Sequence, residues 1–240
     1  MTEDYNRNRV MKKIREYEVN GRPILKVSGE GAPYYGLIKK AMEDSLPHLA
    51  PTFLYGGRRF SDYKYHQVVD YDLLDKAGLL TELTKLLYVT DGAISGMNVL
   101  DLGCGSTEER DYYFGREWLP YMAEILTRLG AKVMGVDYRP NFQATYNHRT
   151  ADLLNCDTVI EGDFDLIVAK SLGGGVIGVD PNFVTIQDST IENNIRKVIR
   201  GVLRPNQLIL TDLIQKEDHV TSFGVKSVFS WELVNTLWYR

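Results

Sequence analysis

The stretch Asn98-Val-Leu-Asp-Leu-Gly-Cys-Gly-Ser106 constrains this chain more than any other. Val99, Leu100 and Leu102 read as a buried strand, and Gly103 and Gly105 end it in a tight turn. Glycine has no Cβ, so such a turn lets a ligand approach the main chain closely. Asp101 stands two residues before the first glycine and changes which ligand fits. A carboxylate at a strand tip repels a pyrophosphate and attracts a cation.

From residue 97 onward strand and helix patterns alternate. Asn98–Leu102 is the first strand, and Leu119–Leu129 is a helix with Pro120 in its first turn and Gly130 just past its end. Lys132–Val136 is a second strand closing on Asp137, and a third short strand ends near Ala151-Asp152. Phe164–Ala169 and Leu208–Leu213 are the fourth and fifth strands, with a helix over Ser189–Leu203 between them. Val225–Tyr239 reads as two further strands in a closing hairpin. This alternation predicts an α/β fold: a Rossmann-like, mostly parallel sheet with helices on both faces. In such a sheet the ligand lies at the carboxyl ends of the strands, so the loops after the first four strands should meet at one site.

Upstream, residues 1–20 are polar and charged, with some helix. Residues 21–90 read as a separate helical region broken at Gly29, Gly31, Pro33, Pro47, Pro51 and Gly56-Gly57. Its amphipathic stretches are Tyr34–Leu46 and Leu73–Leu87, the latter with Leu80, Leu83, Leu86 and Leu87 at helical spacing. The expected organisation is an N-terminal helical cap over residues 1–90 and a ligand-binding domain over residues 91–240. A length of 240 residues with 44% apolar content suits one full core plus such a cap. The net charge of −4 leaves no basic footprint, so nucleic acid is not an expected partner. Cys104 and Cys156 form no CxxC pair, which argues against a zinc site or a disulfide framework, and no metal is expected. The amino-terminal segment has no apolar core and the chain has no run of about 18 apolar residues, so a cytoplasmic protein with no membrane partner is expected.

Three acids fall at or near strand ends: Asp101, Asp137 and Asp152. An acid closing the second strand is placed to accept hydrogen bonds from two ribose hydroxyls. One at the third strand can meet an adenine amine. The order Val99-Leu-Asp-Leu-Gly-Cys-Gly105, Gly135-Val-Asp137, Ala151-Asp-Leu153 and Phe164-Asp-Leu-Ile-Val168 resembles the class I S-adenosylmethionine (SAM)-dependent methyltransferases. Val202-Leu-Arg-Pro-Asn-Gln-Leu208 is similar to the turn entering their fifth strand. The resemblance spans about residues 97–213. It implies SAM as cofactor, S-adenosylhomocysteine as product, and a SAM-binding catalytic domain in residues 91–240. It places Asp101, Gly103, Cys104 and Gly105 near the methionine part, and Asp137 with its neighbour Tyr138 at the ribose. Asp152 and Leu153 would frame the adenine, and Ala169 and Lys170 would lie near the transferred methyl. Ser171, Arg58 and Tyr65 are the candidates for substrate contact, and His148 and His66 for a general base.

The chain departs from the family pattern in places. Thr107 stands where a third glycine is often found. Asp137 follows Gly105 by 32 residues, beyond the roughly 20 of a dinucleotide fingerprint, and the surplus falls in Ser106–Glu117. The fourth-strand loop, Ala169-Lys-Ser-Leu-Gly-Gly-Gly175, lacks the Asn/Asp-Pro-Pro-aromatic pattern of base and amide nitrogen methylation. No Pro-Cys nucleophile follows that strand, which sets cytosine C5 methylation aside. The expected function is methyl transfer from SAM to an oxygen or nitrogen of a small molecule, held at near-attack distance. A non-catalytic protein that keeps the fold, and methyl transfer to RNA or protein, stay open as alternatives, as does a homodimer. A nicotinamide dehydrogenase fits poorly, because the third glycine of its turn would fall on Glu108.

Overall fold

Along the strand Asn98–Leu102 alternate residues bury into two different cores, and the rest of the architecture follows from that. The computed structural model describes residues 4–25, 32–49, 54–55, 58–59, 79–106, 120–153, 160–169, 189–211, 223–228 and 237–240. In chain order the elements are α1 (Arg7–Asn20), α2 (Tyr35–Leu49), β1 (Leu54–Tyr55), β2 (Arg58–Arg59), α3 (Leu79–Val89), β3 (Asn98–Leu102), α4 (Tyr121–Arg128), β4 (Lys132–Asp137), β5 (Asn147–Thr150), β6 (Leu166–Ala169), α5 (Ser189–Val202), β7 (Leu208–Thr211), β8 (Lys226–Ser227) and β9 (Leu237–Tyr239). Seven strands form one sheet in the order β5-β4-β3-β6-β7-β9-β8. The first five in that order run parallel. β9 is antiparallel to both of its neighbours, so the closing hairpin inserts its second strand between β7 and β8. β1 and β2 pair separately.

Val99 of β3 joins the core on one face, with Ile14 of α1, Ile38 of α2, Leu83 and Leu87 of α3 and Leu126 of α4. Leu100 and Leu102 join the core on the other, with Val198, Ile199 and Val202 of α5. β6 and β7 are buried along their whole length, as central parallel strands are when helices cover both faces. The fold is thus α/β, a mostly parallel sheet between two helical layers. The described helices of residues 1–90 share one core with the sheet and α4.

The amino edge of the sheet is held by a buried acid. Asp165 accepts the backbone N–H of Asn98 at 2.8 Å through one oxygen and Arg7 Nε at 2.6 Å through the other. This joins α1 to the starts of β3 and β6. The N–H of Tyr5 donates to Ser95 O at 2.8 Å just beside it. Among the described residues no helix is long and apolar enough to cross a membrane.

Candidate functional site

Strand order reverses between β3 and β6: β4 and β5 lie to one side, β7 to the other. In open α/β sheets a ligand crevice opens beyond the carboxyl ends of the strands at such a reversal. The glycine turn follows β3 at that point. Gly103 has φ 69° and Gly105 φ 90°, values at which a side chain is strained. The N–H groups of Gly103 and Cys104 both donate to Val136 O, at 2.7 and 3.2 Å, which curls the turn over the end of β4. The N–H of Gly105 then donates to Asp137 Oδ2 at 3.0 Å. Two features far apart in sequence, the bare turn and the acid closing the second strand, therefore touch.

Asp137 is 6% exposed. Its other oxygen accepts the Arg139 N–H at 3.1 Å, and Arg139 Nε lies 3.8 Å away. The Arg139 guanidinium stands 5.0 Å from the ring centre of Tyr138, whose side chain is largely exposed at the rim. Ser106 Oγ donates to Pro140 O at 2.6 Å, a second tie between the turn and the loop after β4. Residues 107–119, most of the expected insert, lie outside the described residues.

Asp101 faces α4, where the Ala123 N–H donates to its carboxyl. It is 3% exposed, and its Oδ2 has no hydrogen-bond partner among the described residues. Burial, and then the nearby charge of Asp137, push its pKa up to about 8. A buried carboxyl beside another acid must hold a proton or be supplied with a cation. Its folded pKa lies above the unfolded value of about 3.9, so the folded chain binds the extra proton between those values and its stability falls as pH rises from about 4 to about 8. Denaturant titrations of the ligand-free protein across that window should show this slope, and Asp101→Asn should flatten it.

Behind the turn lies a polar cluster that the sequence reading did not assemble. Cys104 Sγ is 3.6 Å from Tyr146 Oη and 3.7 Å from His148 Nδ1. Tyr146 Oη accepts from Asn141 Nδ2 at 3.1 Å, and the Tyr146 ring meets His148 edge-on. His148 Nε2 lies 2.8 Å from Arg139 O. A carbonyl only accepts, so Nε2 carries the hydrogen and Nδ1 turns a lone pair toward the sulfur, whose one hydrogen also has Gly105 O at 3.5 Å. Burial pushes the Cys104 thiol and the Tyr146 hydroxyl up and the His148 imidazole down, the last against the opposing charge of Asp137. Nearby, the buried Glu124 of α4 accepts both the N–H and the hydroxyl of Thr145, at 3.2 and 2.5 Å.

One residue in the sequence did mark this cluster. A Cβ on Gly135 would stand 2.4 Å from Tyr146 Cε2 and 2.8 Å from Cys104 Sγ. A glycine inside a strand signals that something approaches closely, and here it is those two side chains. Gly135→Ala should cost about 2 kcal/mol through overpacking, measured by urea denaturation. Gly201→Ala, with open space around the new methyl, should cost nothing.

The other candidates are distributed as follows. Leu153, just beyond β5, is buried in the core on the α5 side, and Asp152 is exposed. Ala169 is buried at the end of β6, its carbonyl accepting Thr211 Oγ1 at 2.7 Å. Arg58 is on β2. Tyr65, His66, Lys170 and Ser171 lie outside the described residues. Among the described residues no cluster of three or more His, Cys, Asp or Glu could hold a metal ion. A groove lined by Asn98, Lys132, Asn147 and Asp163 opens at the amino ends of the strands, opposite the turn, and contains neither the glycines nor the two site acids.

No family model matches the chain, and no curated protein matches it significantly. Among solved structures it is similar to the S-adenosylhomocysteine-bound form of CalO1, described as a methyltransferase in calicheamicin biosynthesis. The match has 12% identity and a TM-score of 0.36, and covers 88% of this chain and 73% of that one. A likeness this distant assigns nothing to the present chain.

Proposed function

We propose that this chain binds SAM at the Gly103–Gly105 turn and transfers its methyl group to an oxygen or nitrogen of a small molecule. The observation that carries the reading is the Gly105 N–H on Asp137 Oδ2 at 3.0 Å, a contact between the bare main chain and the acid proposed to bind the ribose. The unpartnered Oδ2 of Asp101 fits the same ligand, because it leaves a buried acceptor for a cation close to the turn.

In this reading Asp137 accepts the ribose hydroxyls while its protein donors fix its orientation. Asp101 gives up its proton and pairs with the positive methionine end. When bound, SAM supplies an electrophilic methyl on its sulfonium. The chain's own work is to hold donor and acceptor in line and to keep water out. The acceptor side is assigned in this reading to Ser171, Arg58, Tyr65 and His66, the candidates drawn from the sequence. The net charge of −4 favours a small acceptor over RNA.

A dinucleotide is disfavoured on two counts. The dinucleotide sheet has the order 3-2-1-4-5-6, whereas here an antiparallel strand is inserted between the fifth and sixth. Asp101 also stands at the strand tip before the turn, where a carboxylate repels a pyrophosphate.

Calorimetry with S-adenosylhomocysteine tests the reading: saturable one-to-one binding is expected, with none for NAD. A folded protein that ignores S-adenosylhomocysteine would end it. Release of S-adenosylhomocysteine from SAM in the presence of an acceptor library then separates an enzyme from a binding protein.

A further inference from the structure

We infer that His148 is a positioning residue, a clamp between the loop after β4 and the glycine turn, and not the base of the reaction. The inference rests on the donor-site reading above and deepens it. A general base needs a ring nitrogen that can face the proton it abstracts. Both nitrogens of His148 are directed at the protein instead: Nε2–H at Arg139 O, 2.8 Å away, and Nδ1 at Cys104 Sγ, 3.7 Å away.

The two groups it joins control the ligand-facing geometry. Arg139 donates its own N–H to Asp137 Oδ1 at 3.1 Å, so holding the Arg139 carbonyl restrains the residue whose N–H orients the acid. Cys104 lies between Gly103 and Gly105, so holding its sulfur holds the two amides on either side. His148 thereby keeps Asp137 and Gly105 in contact from behind. The edge of Tyr146 confines the ring on one side, and the glycine at Gly135 leaves room for Tyr146 and Cys104 to reach it. Asp137, Cys104, Tyr146 and Arg139 are the titratable or charged groups around it. In the neutral ring Nε2–H holds the Arg139 carbonyl and Nδ1 faces the Cys104 sulfur through its lone pair.

The test needs no acceptor substrate. His148→Ala should weaken S-adenosylhomocysteine binding about tenfold and speed amide exchange at Gly105. His148→Gln, whose amide can still donate to Arg139 O, should return to within about threefold of wild type. Nitrogen-15 NMR of the wild-type ring should report the Nε2–H tautomer both with and without S-adenosylhomocysteine. A folded His148→Ala variant with wild-type affinity overturns the inference. So does an Nδ1–H ring, or Ala and Gln variants equally impaired. If the Ala variant does not fold, the Gln variant and the tautomer decide. Failure of the wild-type protein to bind S-adenosylhomocysteine removes the donor reading itself, whereas the tautomer and Gly105 exchange measurements still report on the clamp.

Discussion

Asp137→Ala is expected to cut affinity for S-adenosylhomocysteine by at least tenfold, about 1.4 kcal/mol, in a protein that still folds. Two effects act together. The carboxylate that would receive the ribose hydroxyls is gone, and hydrogen bonds to a charged acceptor contribute about 1.5–3 kcal/mol each. The substitution also leaves the N–H groups of Gly105 and Arg139 without the acceptor they share. Asp137→Asn is the sharper probe. Its amide can accept from one of those donors but turns an NH2 toward the other, so it should recover only part of the lost affinity. Calorimetry gives the affinities, and circular dichroism checks the fold. Unchanged binding by a folded alanine variant would remove the ribose assignment, and the methyl-donor reading with it.

Asp165→Ala is expected to bring the largest loss of stability, roughly 3 kcal/mol. Breaking a buried ion pair by removing one partner costs about 3–5 kcal/mol. The low end applies here because the side chain of Arg7 is 29% exposed and can recover some hydration. The substitution also removes the acceptor for the Asn98 N–H at the start of β3. For a chain of this size the thermal midpoint should fall by roughly 6–12 °C. Arg7→Ala should cost less, and the double variant should cost less than the two single losses added, because both act on one contact. Asp165 is at the amino edge of the sheet, so ligand affinity measured well below the midpoint should not change. A large loss of affinity without loss of stability would mean that the two ends of the sheet are coupled.

The sequence marked the Gly103–Gly105 turn and Asp137 more fully than their surroundings. β3, β4 and β6 carry apolar runs, and the glycines and Pro120 mark where chain elements turn, so their positions could be read directly. The contact between Gly105 and Asp137 followed from a rule about strand ends rather than from spacing. β5 had to be placed by a rough guess, because Asn147-His-Arg-Thr150 contains no apolar residue and depends on pairing with β4 for its position. The periodicity of Leu80, Leu83, Leu86 and Leu87 identified an apolar helix face but not what would cover it. Among the described residues that face packs into a core shared with the sheet. Asn141, Tyr146 and Glu124 escaped notice because buried polar groups follow no period. Only Gly135 hinted at their presence.

The bonds that fasten the turn, Asp137, Arg139 and His148 to one another all join residues between 101 and 148. The longest of these contacts span 32 and 44 residues, so they are non-local and form only when the whole stretch folds together. This stretch should therefore open and close in hydrogen exchange as one cooperative unit. A unit of that kind is portable. Segments proposed to select the acceptor could be exchanged, by evolution or by an engineer, without rebuilding the turn and the acid beside it.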